Sequence, residues 1–340
     1  MSNSQNTLPA SGGRMVKNPL YKVLMQILRV GIIVLLTLIG IWCFAVMQVA
    51  WKLSGTVAVI LAISLVVLWL GGFRRNGCLF MLAVFEICFV TWFVTQSAEK
   101  HFAGVRFERV FAVKPSINYL PDGKFEVVNL RNNRYPDDYS EKAPYEDVFI
   151  NAVFDPAQVV SVQLAQVYWG GMEYVAHTML NFCFADGRNL SVSVEPGTPE
   201  GVDRKNFTHL CKQHELLFIL SVPEDVFELR SRIRGENLYV YDLDFTQEEC
   251  RVLLEKIVGR VADLSKKPEF YDLIRANCIT ALLPALKAAK GELRCDMRVL
   301  FNGFLAQMLF EQGMLKHRMS ESFDSLRARS FVKGKSQGEL

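Results

Sequence analysis

The eight cysteines of this 340-residue chain include no CxxC pair, so their spacing gives no support to a structural zinc site. Charge of one sign is equally scarce. With a formal net charge of +3 and no basic run interleaved with aromatics, the sequence lacks the electrostatic footprint of a nucleic-acid partner. No internal repeat or low-complexity segment is visible. The last five cysteines, at 183, 211, 250, 278 and 295, are odd in number, so in an oxidising compartment at least one lacks an intramolecular partner.

Long apolar runs, by contrast, fill the N-terminal part. Residues 30–50 have only Thr37 and Gln48 as clear polar interruptions and are long enough, at about 1.5 Å per residue, to cross a hydrocarbon core of roughly 30 Å. Residues 55–73 and 78–95 are shorter but still sufficient, so three spanning helices are expected rather than a cleaved signal peptide. Arg14, Lys17, Lys22 and Arg29 precede the first run and Arg74 and Arg75 separate the second from the third, whereas the first turn carries only Lys52. Basic flanks stay cytoplasmic. Three crossings then place everything after about Gln96 in the periplasm of a bacterium, and two crossings would reverse the side. The expected organisation is a cytoplasmic arm over 1–24, a three-helix membrane anchor over 25–97, one folded domain over 98–320 and a basic flexible tail over 321–340. Glu86 lies in the middle of the third run, where an ionised carboxylate is costly. A protonated or helix-paired carboxyl is the favoured reading there, over a contact to substrate or a partner helix.

The domain is long enough to bury one sizeable core. Residues 106–113 and 125–130 read as short strands around the turn Pro121-Asp122-Gly123, and 132–144 as a polar loop. Residues 176–184 and 190–195 flank Asp186-Gly187, a strong hairpin signal. If the loop is symmetric about those residues, His177 and Glu195 share one face of the sheet, because partners of equal parity point the same way. Further strands are expected at 215–222, 226–230 and 238–243. Thr246 to Glu249 forms a capping-box pattern ahead of apolar residues at helical spacing, predicting a helix that ends near Ser265. Another helix is expected from about Asn277 through Leu286, kinked or started late by Pro284, and a last amphipathic one over 297–312, stopped by Gly313.

Two residues carry chemistry. A thiolate can attack a carbonyl while an imidazole first takes and later returns a proton, and Cys278 and His177 supply that pair. A cysteine in the first turn of a helix is activated by the positive end of the backbone dipole, and the same N–H groups face an oxyanion formed on an attacked carbonyl. Asn277 either caps that helix or donates to the oxyanion, with capping slightly favoured. Each residue alone is weak: buried cysteines are mostly small hydrophobes and strand histidines mostly packing residues.

The run Tyr168-Trp169-Gly170-Gly171, then Ala176-His177-Thr178-Met179-Leu180-Asn181-Phe182-Cys183-Phe184-Ala185-Asp186-Gly187 and Ser191-Val192-Ser193-Val194-Glu195, resembles the signature of the Lnb-type periplasmic domain, a family named for a bacterial lipoprotein N-acyltransferase. The likeness continues in Gln213-His214-Glu215-Leu216, Arg230, Arg234, Tyr239-Val240-Tyr241 and Pro268-Glu269-Phe270-Tyr271, ending at Asn277-Cys278-Ile279-Thr280, and spans roughly 105–315. Pro196-Gly197 stands where the family tends to place an arginine, and Asp272 where asparagine is usual. The resemblance implies an α+β fold: N-terminal transmembrane helices followed by a circularly permuted papain-like domain with an antiparallel sheet and a cysteine-bearing helix. It implies Cys278 as nucleophile, His177 as base and acid, and Glu195 as the group orienting the imidazole. It also implies an acyl donor that is a membrane phospholipid, an acceptor amine at the N-terminus of a lipoprotein, and no cofactor. Two rivals stand beside this acyltransferase of the bacterial inner membrane: a thiol hydrolase with the same triad, and a non-catalytic periplasmic binding or maturation module.

Overall fold

A computed structural model describes residues 19–51, 55–72, 76–136, 138–139, 146–169, 171–204 and 206–332. The chain divides into two compact units, Met1–Thr95 and Gln96–Leu340. In the first, all three apolar runs are helical: α1 (Pro19–Trp51), α2 (Gly55–Gly72) and α3 (Asn76–Val94). Two stretches, Val23–Ala50 and Asn76–Val94, are long and apolar enough to cross a membrane, whereas the apolar stretch of α2, Val57–Gly71, is shorter. Two candidate spans therefore stand where three were expected. Arg14, Lys17, Lys52, Arg74 and Arg75, on which the orientation rested, lie outside the described residues. Glu86 is buried on α3, and neither carboxyl oxygen has a hydrogen-bond partner among the described residues. Gly40 of α1 faces it so closely that a Cβ there would stand 3.0 Å from Glu86 Oε1.

The second unit is a mixed domain on one nine-stranded sheet. After the short helices α4 (Ala98–Phe102) and α5 (Arg109–Ala112) come β1 (Ser116–Tyr119), β2 (Phe125–Arg131), β3 (Phe149–Phe154), β4 (Val159–Tyr168), β5 (His177–Phe184), β6 (Asn189–Gly197) and β7 (Glu215–Ser221). Then follow α6 (Pro223–Glu228), β8 (Asn237–Asp242), α7 (Gln247–Lys266), α8 (Leu283–Lys290), α9 (Leu305–Glu311), α10 (Phe323–Arg329) and β9 (Phe331–Val332). The strand order is β1-β2-β7-β6-β5-β4-β8-β9, with β3 also on β2, and every pairing is antiparallel except β2 with β7.

Both faces of the central strands are covered. On β7, Leu216, Phe218 and Leu220 join the main core beneath α7, while the alternate residues Leu217 and Ile219 pack on Phe102, Phe107 and Phe111. A strand's period of two makes this division automatic. On β5, Leu180 and Phe182 face α7, which leaves Met179 and, by parity, His177 on the other side. The α7 helix presents Leu253, Leu254, Ile257, Val258 and Val261 at helical spacing, and its start is the expected capping box, with Thr246 and Glu249 exchanging side-chain and backbone bonds.

Four expectations fail. Residues 226–230 are helical: Pro223 and the acidic Glu224 and Asp225 open α6, and a π-turn over Leu229–Ile233 extends it. Residues 106–113 form one bridge, Phe107 with Pro199, and then α5, which buries Phe111. The helix over 297–312 is broken into the 3₁₀ turns Met297–Val299 and Asn302–Phe304 before α9, and Gly303 in the second turn lies against the Glu173 carbonyl, where any Cβ would clash. Finally, 321–332 is folded: Ser322 caps α10, Leu326 is buried and β9 pairs with β8, so the domain runs past 320.

Candidate active site

The β5–β6 hairpin turns on Gly187, whose φ of 82° suits a residue without Cβ. Its register pairs Met179 with Ser193, and continuing that register sets His177 opposite Glu195. Equal parity across the pair brings both side chains to one face, as the sequence pattern required. His177 Nε2 lies 3.0 Å from Glu195 Oε1 and 2.7 Å from Ser193 Oγ, and the Ser193 hydroxyl donates to Glu195 Oε1 at 2.7 Å. Arg230 Nη2 donates to the same carboxylate oxygen at 3.0 Å, while Nη1 reaches Glu236 at 3.3 Å.

These contacts set the charge state. Burial, the largest single influence, would lower the imidazole pKa of His177, but the Glu195 charge and hydrogen bond together with the Cys278 contact outweigh it and raise the value to about 9. Burial likewise opposes the charge on Glu195, yet His177 and Arg230 hold its carboxyl well below the usual range. Near neutral pH the two form an ion pair. Cys278 lies beside this pair: its side chain interacts with the imidazole, and its Sγ donates to the carbonyl of Ala176, the residue before His177, at 3.9 Å.

Cys278 does not sit in a regular helix. The segment around it is a run of turns, with Ala281 N–H donating to the Asn277 carbonyl and Leu283 N–H to that of Ile279, and α8 begins only at Leu283, next to Pro284. The late start is the one Pro284 foreshadowed. Asn277 caps these turns: its Oδ1 accepts from the N–H groups of Ile279 at 3.0 Å and Thr280 at 2.9 Å, and its Nδ2 donates to the Leu273 carbonyl. The amide of Asn277 is thus engaged in local structure.

A second asparagine, Asn302, touches the thiol directly. Its Nδ2 donates to Cys278 Sγ at 3.2 Å, while its Oδ1 accepts from Ala176 N–H at 2.9 Å, beside the histidine, and its carbonyl accepts from Gln166 Nε2 at 2.7 Å. An amide pinned at both ends and touching the sulfur is placed to receive negative charge developing on a carbonyl attacked there. The dipeptide Asn302-Gly303 is a turn signal that could have flagged this position inside an otherwise helical pattern. Tyr271 is also buried; burial first, then the charges of Cys278 and Glu195, hold its hydroxyl well above the ordinary phenol pKa, so it stays protonated. Ser193 was legible by parity, two residues before Glu195 on the same face.

All these groups open onto a cleft of about 630 Å3, whose apolar walls include Trp169, Val226, Leu300 and Phe301. That size suits a small-molecule or lipid-sized ligand. No group of three or more His, Cys, Asp or Glu side chains that could hold a metal occurs among the described residues.

Residues 145–306 match the family described as the Lnb N-terminal periplasmic domain. No curated protein and no solved structure matches the chain. The match takes in His177, Glu195, Cys278 and Asn302, and the segment that carries the site belongs to the Lnb-type periplasmic domain family, in a chain that begins with apolar helices suited to anchoring it.

Proposed function

We propose that the protein is a multi-pass, membrane-anchored cysteine acyltransferase working in the periplasm on a permuted papain-like domain. The Cys278–His177–Glu195 constellation in an apolar cleft is the observation that carries this reading. Cys278 thiolate attacks an ester carbonyl of a phospholipid, and the oxyanion develops against Asn302 Nδ2. Collapse breaks the ester C–O bond; the departing glycerol oxygen takes the proton from the His177 imidazolium, leaving a lysophospholipid and a Cys278 thioester. An amine then attacks the thioester carbonyl, gives its proton to His177, and departs as an amide while the thiolate is restored. Glu195 keeps the imidazole oriented in both half-reactions.

The acceptor consistent with the family is the N-terminal amine of a lipoprotein. Helices that hold the enzyme in the bilayer raise the effective concentration of a lipid donor and a lipidated acceptor alike. Incubating the full-length protein with phospholipid vesicles and a diacylated lipopeptide tests the reading. The lipopeptide gains one fatty-acyl mass with wild type and none with Cys278→Ala; release of free fatty acid with no acylated lipopeptide would make the enzyme a hydrolase instead.

A further inference from the structure

One wall of the cleft is cationic. Arg204, Arg230 and Arg234 all line it, the first from the segment after β6 and the other two one helical turn apart behind α6. Two separate elements thus deliver guanidinium groups to one place. Arg204 bonds Glu108 and lies 5.2 Å over the Phe111 ring. Arg230 is engaged by Glu195 and Glu236. Even so, Arg204 is crowded: burial first, and then the positive charges of Arg234 and Arg230, hold its guanidinium below the ordinary value. An anion seated among these groups would relieve the repulsion and gain charge-assisted hydrogen bonds.

A second observation points the same way. His209 lines the same cleft, is 8 % exposed, and its Nε2 is buried with no hydrogen-bond partner among the described residues. Its ring is fixed edge-on against His214, with centroids 4.6 Å apart, and against Tyr271 at 5.2 Å. A polar atom buried without a partner is costly, and it marks a place where a ligand or water completes the structure.

We propose that Arg204, Arg234 and His209 form a subsite for the phosphodiester of a glycerophospholipid donor, with Arg230 linking it to the reacting centre. The assignment deepens the acyl-transfer reading and rests on it for the identity of the ligand. A glycerophospholipid carries its phosphate a short glycerol arm from each ester carbonyl. Arg230 stands in a matching relation to the chemistry, since the carboxylate it grips, 3.0 Å away, is the one that holds His177. Phosphate held at this wall would turn an ester carbonyl towards Cys278, whereas a lipid ester without phosphate would lack that anchor.

The test uses the full chain in detergent micelles. In a Cys278→Ala background, glycerophosphoethanolamine, the headgroup diester without acyl chains, is titrated calorimetrically beside inorganic phosphate. The diester is expected to bind more tightly than inorganic phosphate, and Arg204→Gln and Arg234→Gln each to weaken it roughly ten- to a hundredfold. Equal binding of the two ligands would make this a general phosphate site and overturn the lipid assignment. Unchanged diester affinity in both variants would overturn the subsite itself. With Cys278 restored, acylation is followed from phosphatidylethanolamine and from p-nitrophenyl butyrate. The variants' loss on the phospholipid should exceed their loss on the nitrophenyl ester by about tenfold or more. Equal losses on both would reduce the arginines to a structural role and refute the proposal. Diester binding without acylation of Cys278 by either donor would leave the subsite standing and defeat the acyltransferase reading alone.

Discussion

Replacing Glu195 by glutamine preserves shape and removes one charge at the centre of the site. In the native protein His177 titrates near 9 rather than 6.5, against the pull of burial, and the Glu195 carboxylate is the largest group raising it. A rise from 6.5 to about 9 corresponds to roughly 3 kcal/mol favouring the protonated, folded form. The folded value is raised, so this stabilisation is fully present below about pH 6.5 and is lost as pH rises through about 9. In Glu195→Gln, burial and the Arg230 charge, which both lower the imidazole pKa, are opposed only by the contact with Cys278. The His177 pKa then falls from its native value and the ion pair is lost. Two assays read this in the full chain. The melting temperature of wild type should fall between pH 6.5 and 9 by more than that of the variant. Acylation of Cys278 should slow by about 10²–10⁴ in the variant, the range typical for loss of positioned proton transfer. A variant whose melting temperature follows wild type across that pH range, and whose acylation is unimpaired, would refute the ion-pair account.

Asn302→Ala removes the donor touching the sulfur and leaves the Ala176 N–H without its acceptor, so acylation should drop by about 10²–10³ with a loss of roughly 1–3 kcal/mol in stability. Asn277→Ala should cost about 1 kcal/mol of stability through the lost cap and much less rate than Asn302→Ala; comparison of the two in single-turnover acylation separates capping from oxyanion binding. Gly303→Ala presses a Cβ into the Glu173 carbonyl and should destabilise by at least about 1–3 kcal/mol while displacing Asn302, measured as a lowered melting temperature together with slowed acylation. Leu326→Ala should cost roughly 2–5 kcal/mol by chemical denaturation if the C-terminal segment is part of the fold, and almost nothing if it is a loose tail.

What could be read before the structure was local. Parity across the Asp186-Gly187 hairpin was enough to pair His177 with Glu195, because a strand's alternation leaves two faces only and the core claims one of them. The capping box before α7 was legible for the same reason: both partners lie within one turn. Misreadings had two sources, a helix start passed over and contacts made by distant chain. Val226 and Leu229 alternate poorly as a strand yet pass for one in isolation, and it is Pro223 with two acidic residues behind it that starts a helix. Asn302 was hidden inside an amphipathic pattern, since its role depends on Ala176 and Cys278, far away in sequence. The basic residues around Leu326 disguised a helix that buries Leu326 and packs Phe323 against the core. Asn277 was correctly weighed as a cap.

The central claim is that the Cys278 thiol takes an acyl group from phospholipid. Intact-protein mass spectrometry of the full-length enzyme, after incubation in phospholipid vesicles without acceptor, measures that bond directly. The account requires one added fatty-acyl mass, removed by hydroxylamine and absent from Cys278→Ala. An unmodified wild-type protein, or an adduct that persists in Cys278→Ala, would contradict it.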